Sequence, residues 1–224
     1  MIPLVNQWPE GYTEELLASL LATLQMVSIT MVIGGLIGLA LGLALYSTRR
    51  GGLFANRGLF LVLNAIVNFI RPIPFIIFIT AISPVTIFVT GHRIGVAGAI
   101  FPMVIMASMA TSRLVEQALI GIDPGIVEAG RAMGASRLYV LVRILIPEAL
   151  APLILAYAFL FIGVLDLSAI AGVVGARGLG SFAIQYGYNK YNYLVTFVAL
   201  LIIVVIVQFV QSLGNWLARK ALHR

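Results

Sequence analysis

The chain has 224 residues, of which 61% are hydrophobic and only 10% charged, against about 25% charged in an average soluble domain. So little polar surface cannot cover a water-soluble globule, which excludes a soluble enzyme and a disordered tail and assigns the chain to a lipid bilayer. Cysteine is absent and the only histidines are His92 and His223, so disulfides, thiolate metal sites and a zinc cluster are excluded too.

The opening segment, 1–15, is acidic and polar. It lacks the basic leader and short apolar run of a cleavable signal peptide, and none is expected. A span needs about 20 apolar residues. The sequence predicts an all-α integral membrane protein with five spans, at about 16–47, 60–90, 94–113, 149–170 and 192–217, and a tail at 219–224. In the first span Gly34, Gly38 and Gly42 recur every four residues, a spacing that lets another helix approach closely; packing within this chain is the favoured reading. The stretch 60–90 is too long for one straight crossing. Either it kinks at Pro72 and Pro74, or 58–70 lies along the membrane surface and 72–90 crosses. Arg71 is expected to satisfy carbonyls freed by those prolines, with a place on the substrate path as the alternative.

Residues 114–148 carry Glu116, Asp123, Glu128, Arg131, Arg137, Arg143 and Glu148, too many charges to cross lipid. Here Asp123 is a good helix N-cap, and Pro124 suits the first turn, where its missing donor does no harm. A short helix is expected from Pro124 to about Met133. Gly134 can take the left-handed conformation that ends it. Ser136 then caps a second helix with Leu138, Leu141, Val142 and Leu145 on one face, which Pro147 stops before the fourth span. In that span Asp166 lies nineteen residues beyond Pro147, about 28 Å at helical rise. An acidic residue in lipid is a candidate for function. It either pairs with Arg177 or a backbone amide, or lies near the path and attracts an amino group or cation. The tyrosines between 186 and 193 are read chiefly as interface anchors.

Of the fourteen Lys and Arg residues, ten gather on the side holding the first loop, 114–148 and the C-terminus; three, Arg93, Arg177 and Lys190, lie opposite, and Arg71 is undecided. Basic loops stay cytoplasmic, so the N-terminus is expected outside and the 114–148 loop and C-terminus inside. The basic residues are spread over membrane loops, which argues against nucleic acid. There is no G-x-x-x-x-G-K-[ST] run; GARGLG at 175–180 lacks the lysine and reads as an ordinary loop.

The loop resembles the signature of permease subunits of bacterial ABC importers, E-A-A-x-x-x-G, nine residues, then I-x-L-P. Glu128, Ala129, Gly130 and Gly134 are followed nine residues later by Ile144, Leu145, Ile146 and Pro147. The departures are Gly130 for the second alanine and Ile146 for leucine. Together with AIVNFIRPIPFI at 65–76 and VVGARGLGSFAIQYGYNKYN at 173–192, the chain is similar to the methionine-uptake branch of that family. Arg71 to Pro74 resembles the Arg-x-x-Pro of polar-amino-acid permeases.

The resemblance implies a homodimer, two cytoplasmic ATPase subunits that bind ATP and Mg, and an extracytoplasmic substrate-binding lipoprotein. It also implies a coupling helix at about 124–134 that docks on the ATPase through Glu128, Ala129, Gly130, Arg131 and Met133, with Gly134 as its exit. Arg71, Pro74 and Asp166 are the candidates for path or gate. No catalytic residue and no resident metal or cofactor is expected in this chain. The function expected is the translocation path of an ATP-driven amino-acid importer in the bacterial plasma membrane, with methionine the first choice. Another amino acid, including a cationic one given Asp166, is the alternative. A stand-alone ion-coupled carrier or channel is more remote.

Overall fold

A computed structural model of the protein describes residues 8–222; His223, Arg224 and most of the expected N-terminal segment before Tyr12 lie outside them. The first helix, α1 (Tyr12–Thr48), is 37 residues long, about 55 Å at helical rise. That exceeds the ~30 Å hydrocarbon core, so its ends reach the polar layers. It is followed by α2 (Arg57–Ile70), α3 (Phe75–Ala81), α4 (Ser83–Thr90), α5 (Gly95–Ile120) and α6 (Pro124–Ala132). Then come α7 (Arg137–Tyr139), a π-helical turn (Val140–Leu145), α8 (Ile146–Glu148), α9 (Leu150–Val173) and α10 (Leu179–Phe182). A second π turn (Ala183–Gly187) and a 3₁₀ turn (Tyr188–Lys190) lead into α11 (Tyr193–Leu222). No strand occurs among the described residues.

Four helices, α1, α5, α9 and α11, are long and apolar enough to cross a membrane, and α2 with α3 makes a fifth if that broken pair is one span. The break falls where the prolines require it. The Arg71 N–H still donates to Val67, but Pro72 and Pro74 have no N–H to continue the ladder. Backbone closes the break, since the Ile77 and Phe78 N–H groups both donate to the Pro74 carbonyl. The Arg71 side chain is exposed and makes no hydrogen bond among the described residues, so it does not cap the freed carbonyls as expected.

The chain forms two compact units. One takes the residues up to Gly34 with Ile73–Met106 and Phe161–Val210; the other takes Gly35–Pro72 and Ala107–Leu160 with the residues from Gln211 on. In the first, Trp8, Tyr12, Leu16 and Tyr186 pack around buried Phe182, Val195 and Ala199. The Lys190 ammonium donates to the Tyr12 hydroxyl at 3.0 Å and lies over the Tyr12 and Tyr186 rings. That hydrogen bond holds the lysine pKa above its ordinary value. Nearby Tyr188, Tyr191 and Tyr193 remain exposed, as interface anchors would. The loop at 175–180 is packed rather than open, since the Leu179 N–H donates to the Thr23 hydroxyl at 2.9 Å.

The second unit has two buried clusters. One joins Leu45 of α1 to Val67 of α2 and Met109 of α5. The other joins Tyr46 to Val115 and Leu119 of α5 and to Leu145, Ala149 and Leu153. Gly38 and Gly42 make the α1–α5 approach possible. A Cβ on Gly42 would stand 2.6 Å from the Val115 Cβ and 2.7 Å from the Ser112 carbonyl oxygen, and Gly38 is crowded in the same way by Thr111 and Ser108. The neighbouring Gly35 carbonyl accepts from the Tyr157 hydroxyl of α9 at 2.8 Å. Gly42→Ala is therefore expected to lower stability by about 1–3 kcal/mol through overpacking. Gly163→Ala, where a Cβ meets nothing within 4 Å, should leave it unchanged. Thermal unfolding of the two purified variants in one detergent measures the difference.

Candidate functional site

The polar loop between α5 and α9 folds as its sequence predicts at both ends of α6. The Asp123 carboxylate accepts from the Gly125 N–H at 2.8 Å, and Pro124 occupies the first turn. At the far end Gly134 has φ +78°, a left-handed conformation that costs glycine little and an L side chain about 1–2 kcal/mol. Its N–H donates to Arg131, and that of Ala135 to Gly130. Glu128, Ala129, Arg131, Ala132 and Met133 are exposed, Met133 by 79%. Gly130 points the other way. It is buried, and a Cβ there would lie 2.8 Å from the Ile144 Cδ1 and 3.4 Å from Val140. Gly130 therefore seats α6 against the returning segment rather than offering its surface outward.

That segment departs from the expected amphipathic α-helix. Ser136 caps its start, accepting from the Tyr139 N–H at 3.3 Å, but 140–145 is a π turn. Five-residue bonding places Val140 and Leu145 together on the buried side, both with no exposed surface, while Leu138 and Val142 are exposed. Of the expected face of Leu138, Leu141, Val142 and Leu145, which assumes a period of 3.6, Leu145 is buried and Leu141 packs against the same cluster, while Leu138 and Val142 turn outward. Pro147 does not stop the helix. It sits in the first turn of α8, where no donor is needed, and one turn residue, Ala149, separates α8 from α9.

At the C-terminal half of α5 lies a polar cluster that local patterns do not reveal. The Arg113 guanidinium donates to the Glu116 carboxylate and to the side-chain oxygens of Asn64 and Asn68, all at 2.5–2.7 Å. Only 13% of the Arg113 side chain and 9% of the Glu116 side chain are exposed. The cluster ties α2 to α5 just ahead of the loop. Asn64 and Asn68 lie 49 and 45 residues from Arg113, and the only clue in the sequence is their one-turn spacing on a helix.

A family described as "binding-protein-dependent transport system inner membrane component" matches residues 34–223. The chain is 37% identical over 220 residues to the probable D-methionine transport system permease protein MetI of Vibrio cholerae, covering 98% of both chains. It is 37% identical over 171 residues to the methionine import system permease protein MetP of Bacillus subtilis, covering 76% of this chain and 77% of that one. A solved structure titled as inward facing conformations of the MetNI methionine ABC transporter superposes with a TM-score of 0.92 at 38% identity, over 96% of this chain and 99% of that one. An amino acid ABC transporter solved with histidines shares the fold, with a TM-score of 0.77 at 24% identity. The chain belongs to the binding-protein-dependent inner membrane component family. It is a multi-pass permease subunit of a bacterial inner membrane.

Arg71, Pro74 and Asp166 line none of the cavities described among these residues. Asp166 is exposed on α9 and forms no ion pair, with Arg177 or any other described residue. Pro74 caps α3. A cavity of about 250 Å³ lies instead among α3, α4, α5 and the end of α9, lined by Thr80, Ser83, Arg93, Ala99 and Val174 among others, and neither Pro74 nor Asp166 borders it. Of its lining only Arg93 carries charge, and the sequence marked it as a loop residue alone.

Arg113→Ala should destabilise the permease by about 3–5 kcal/mol, because it strands the buried Glu116 charge. Replacing both Arg113 and Glu116 by leucine should recover most of that loss, and denaturation of the three proteins in detergent gives the comparison. In the loop, Gly134→Val is expected to strain the exit of α6, at φ +78°, and to lower stability by about 1–2 kcal/mol. Gly130→Ala should be nearly silent, since only the flexible end of Ile144 must move. Thermal unfolding of the two variants in one detergent tests both.

Proposed function

We propose that this chain forms the translocation path of an ATP-driven importer for an amino acid, methionine first. Two copies of the permease work with two cytoplasmic ATPase subunits, which bind ATP and Mg, and receive substrate from an extracytoplasmic binding lipoprotein. The observation that carries this reading is α6, a capped, exposed helix with small and adaptable side chains at the family's loop spacing. The relatives named for methionine support the substrate. The ten-to-three distribution of basic residues supports the orientation, with the N-terminus outside and both α6 and the C-terminus inside.

Mechanically, Ala129, Ala132 and Met133 let α6 seat closely in a partner groove, and Glu128 and Arg131 pair with opposite charges there. ATP-driven closure of the ATPases then moves the two α6 helices together and opens the permease outward, and hydrolysis resets it. This is a shift between two pre-existing states. Asp166 has no ion-pair partner among the described residues and lies in the α9 span, where lipid would penalise an unpaired carboxylate. We assign it to the surface facing the second copy or the water-filled path, where its carboxylate attracts the ammonium of the incoming amino acid.

Vesicles containing permease, ATPase and binding protein are expected to accumulate labelled methionine with ATP, whereas vesicles with the permease alone accumulate none. Met133→Asp should cut that accumulation about tenfold without shifting the thermal unfolding of the isolated permease. Asp166→Asn should raise the substrate concentration needed for half-maximal uptake. Uphill accumulation by the permease alone would overturn the proposal.

A further inference from the structure

We propose that Arg49, Arg50 and Arg57 form a binding site for the phosphate headgroup of an anionic glycerophospholipid. The three line one pocket of about 670 Å³ between the end of α1 and the start of α2, with Asn56, Phe60 and Leu61. The turn that gathers them is tightly folded. The Phe54 N–H donates to the Ser47 carbonyl at 3.0 Å and that of Asn56 to Thr48 at 2.9 Å, and Gly51 bends at φ +78°. The Arg49 guanidinium is held over the Tyr46 ring at 4.3 Å. Arg50 and Arg57 are exposed. None of the three has a carboxylate partner, since Arg113–Glu116 is the only ion pair among the described residues. Three cations around one pocket repel one another, and an anion placed between them relieves that repulsion. Guanidinium groups suit phosphate because they donate in pairs to its oxygens.

The surroundings favour a lipid over a free phosphate. α1 is uncharged from Leu16 to Thr48, about 50 Å at helical rise, so the pocket at its end lies in the polar layer of the bilayer beyond the ~30 Å hydrocarbon core. One wall is apolar. Phe60 and Leu61 line it, and Leu59, Val62 and Ile66 continue along α2, each about half exposed. A free phosphate has no use for that wall, whereas acyl chains lie along it below a headgroup seated on the arginines. Basic pockets at the membrane surface bind anionic headgroups on this principle. The site requires only that the chain sits in a bilayer, not that it imports methionine.

The test places the purified transporter complex in nanodiscs of equal parts phosphatidylcholine and phosphatidylglycerol, and counts retained lipids by native mass spectrometry after release into detergent. The wild type is expected to retain phosphatidylglycerol preferentially. Arg50→Gln with Arg57→Gln should weaken that preference by about fivefold per arginine, and rising salt should erode it. Arg50→Lys with Arg57→Lys keeps the charge but loses the paired donors, and should retain part of the preference, more than the glutamine pair does. Equal retention of the two lipids by the wild type overturns the site without recourse to any variant. So does undiminished preference in the glutamine variant. Displacement of phosphatidylglycerol by millimolar inorganic phosphate would overturn the lipid assignment in favour of a free-anion site.

Discussion

Lipid offers no partner to an unpaired backbone N–H or carbonyl, and most of this structure follows from how the chain meets that demand. The long helices α1, α5, α9 and α11 meet it internally. Where the helix breaks at Pro72 and Pro74, two successive N–H groups converge on the Pro74 carbonyl. Threonines contribute within helices as well. The hydroxyls of Thr48, Thr86 and Thr111 each donate to the carbonyl four residues back. A polar side chain can thus lie in an apolar helix without seeking a partner elsewhere. The permease keeps its irregular backbone short, and each turn between helices carries its own hydrogen bonds.

With the backbone satisfied, hydrophobic exclusion no longer drives helix association, because lipid tails are as apolar as leucine. Close contact must do that work, which explains why Gly38 and Gly42 stand against Thr111, Ser112 and Val115. Dispersion grows steeply as backbones approach, and a methyl group at either position would hold the helices apart. The Arg113–Glu116–Asn64–Asn68 cluster adds a polar tie between α2 and α5, its two charges largely shielded by protein. Large exposed side chains such as Phe88, Leu21 and Phe209 would aggregate a soluble protein, but here they are what the solvent favours.

How much of this could be read in the sequence depended on range. The caps of α6 were legible because each is a local choice: Asp123 two residues from the N–H it accepts, and Gly134 at a positive φ. The four apolar spans were legible because their length is set by the bilayer. The π turn at 140–145 was not, because apolar residues at 138, 141, 142 and 145 also satisfy a period of 3.6. Only the packing of Val140 and Leu145 reveals the longer one. The Arg113 cluster was not legible either, since its members are brought together by the α2–α5 pairing. Gly130 faces opposite to what the family resemblance implies: not outward as a contact surface but inward, where its small size admits Ile144.

The inward direction of Gly130 ties α6 to its neighbours. Were Gly130 on the outer face, α6 would be a loosely tethered foot. Seated against Val140 and Ile144 it becomes part of a packed block. Val127 of α6 and Ile122 just before it lie against the cluster that contains Val115 and Leu119 of α5, Leu145 and Ala149 of the returning segment, and Tyr46 of α1. Displacing α6 alone would open voids among side chains that are close to fully buried, and interiors this dense resist such voids. The cheaper motion carries the ends of α1, α5 and α9 together. The Arg113 cluster ties the same block to α2, which ends at the proline break. In the proposed mechanism, a push on this nine-residue helix therefore reaches the ends of α1, α5 and α9 through packed side chains.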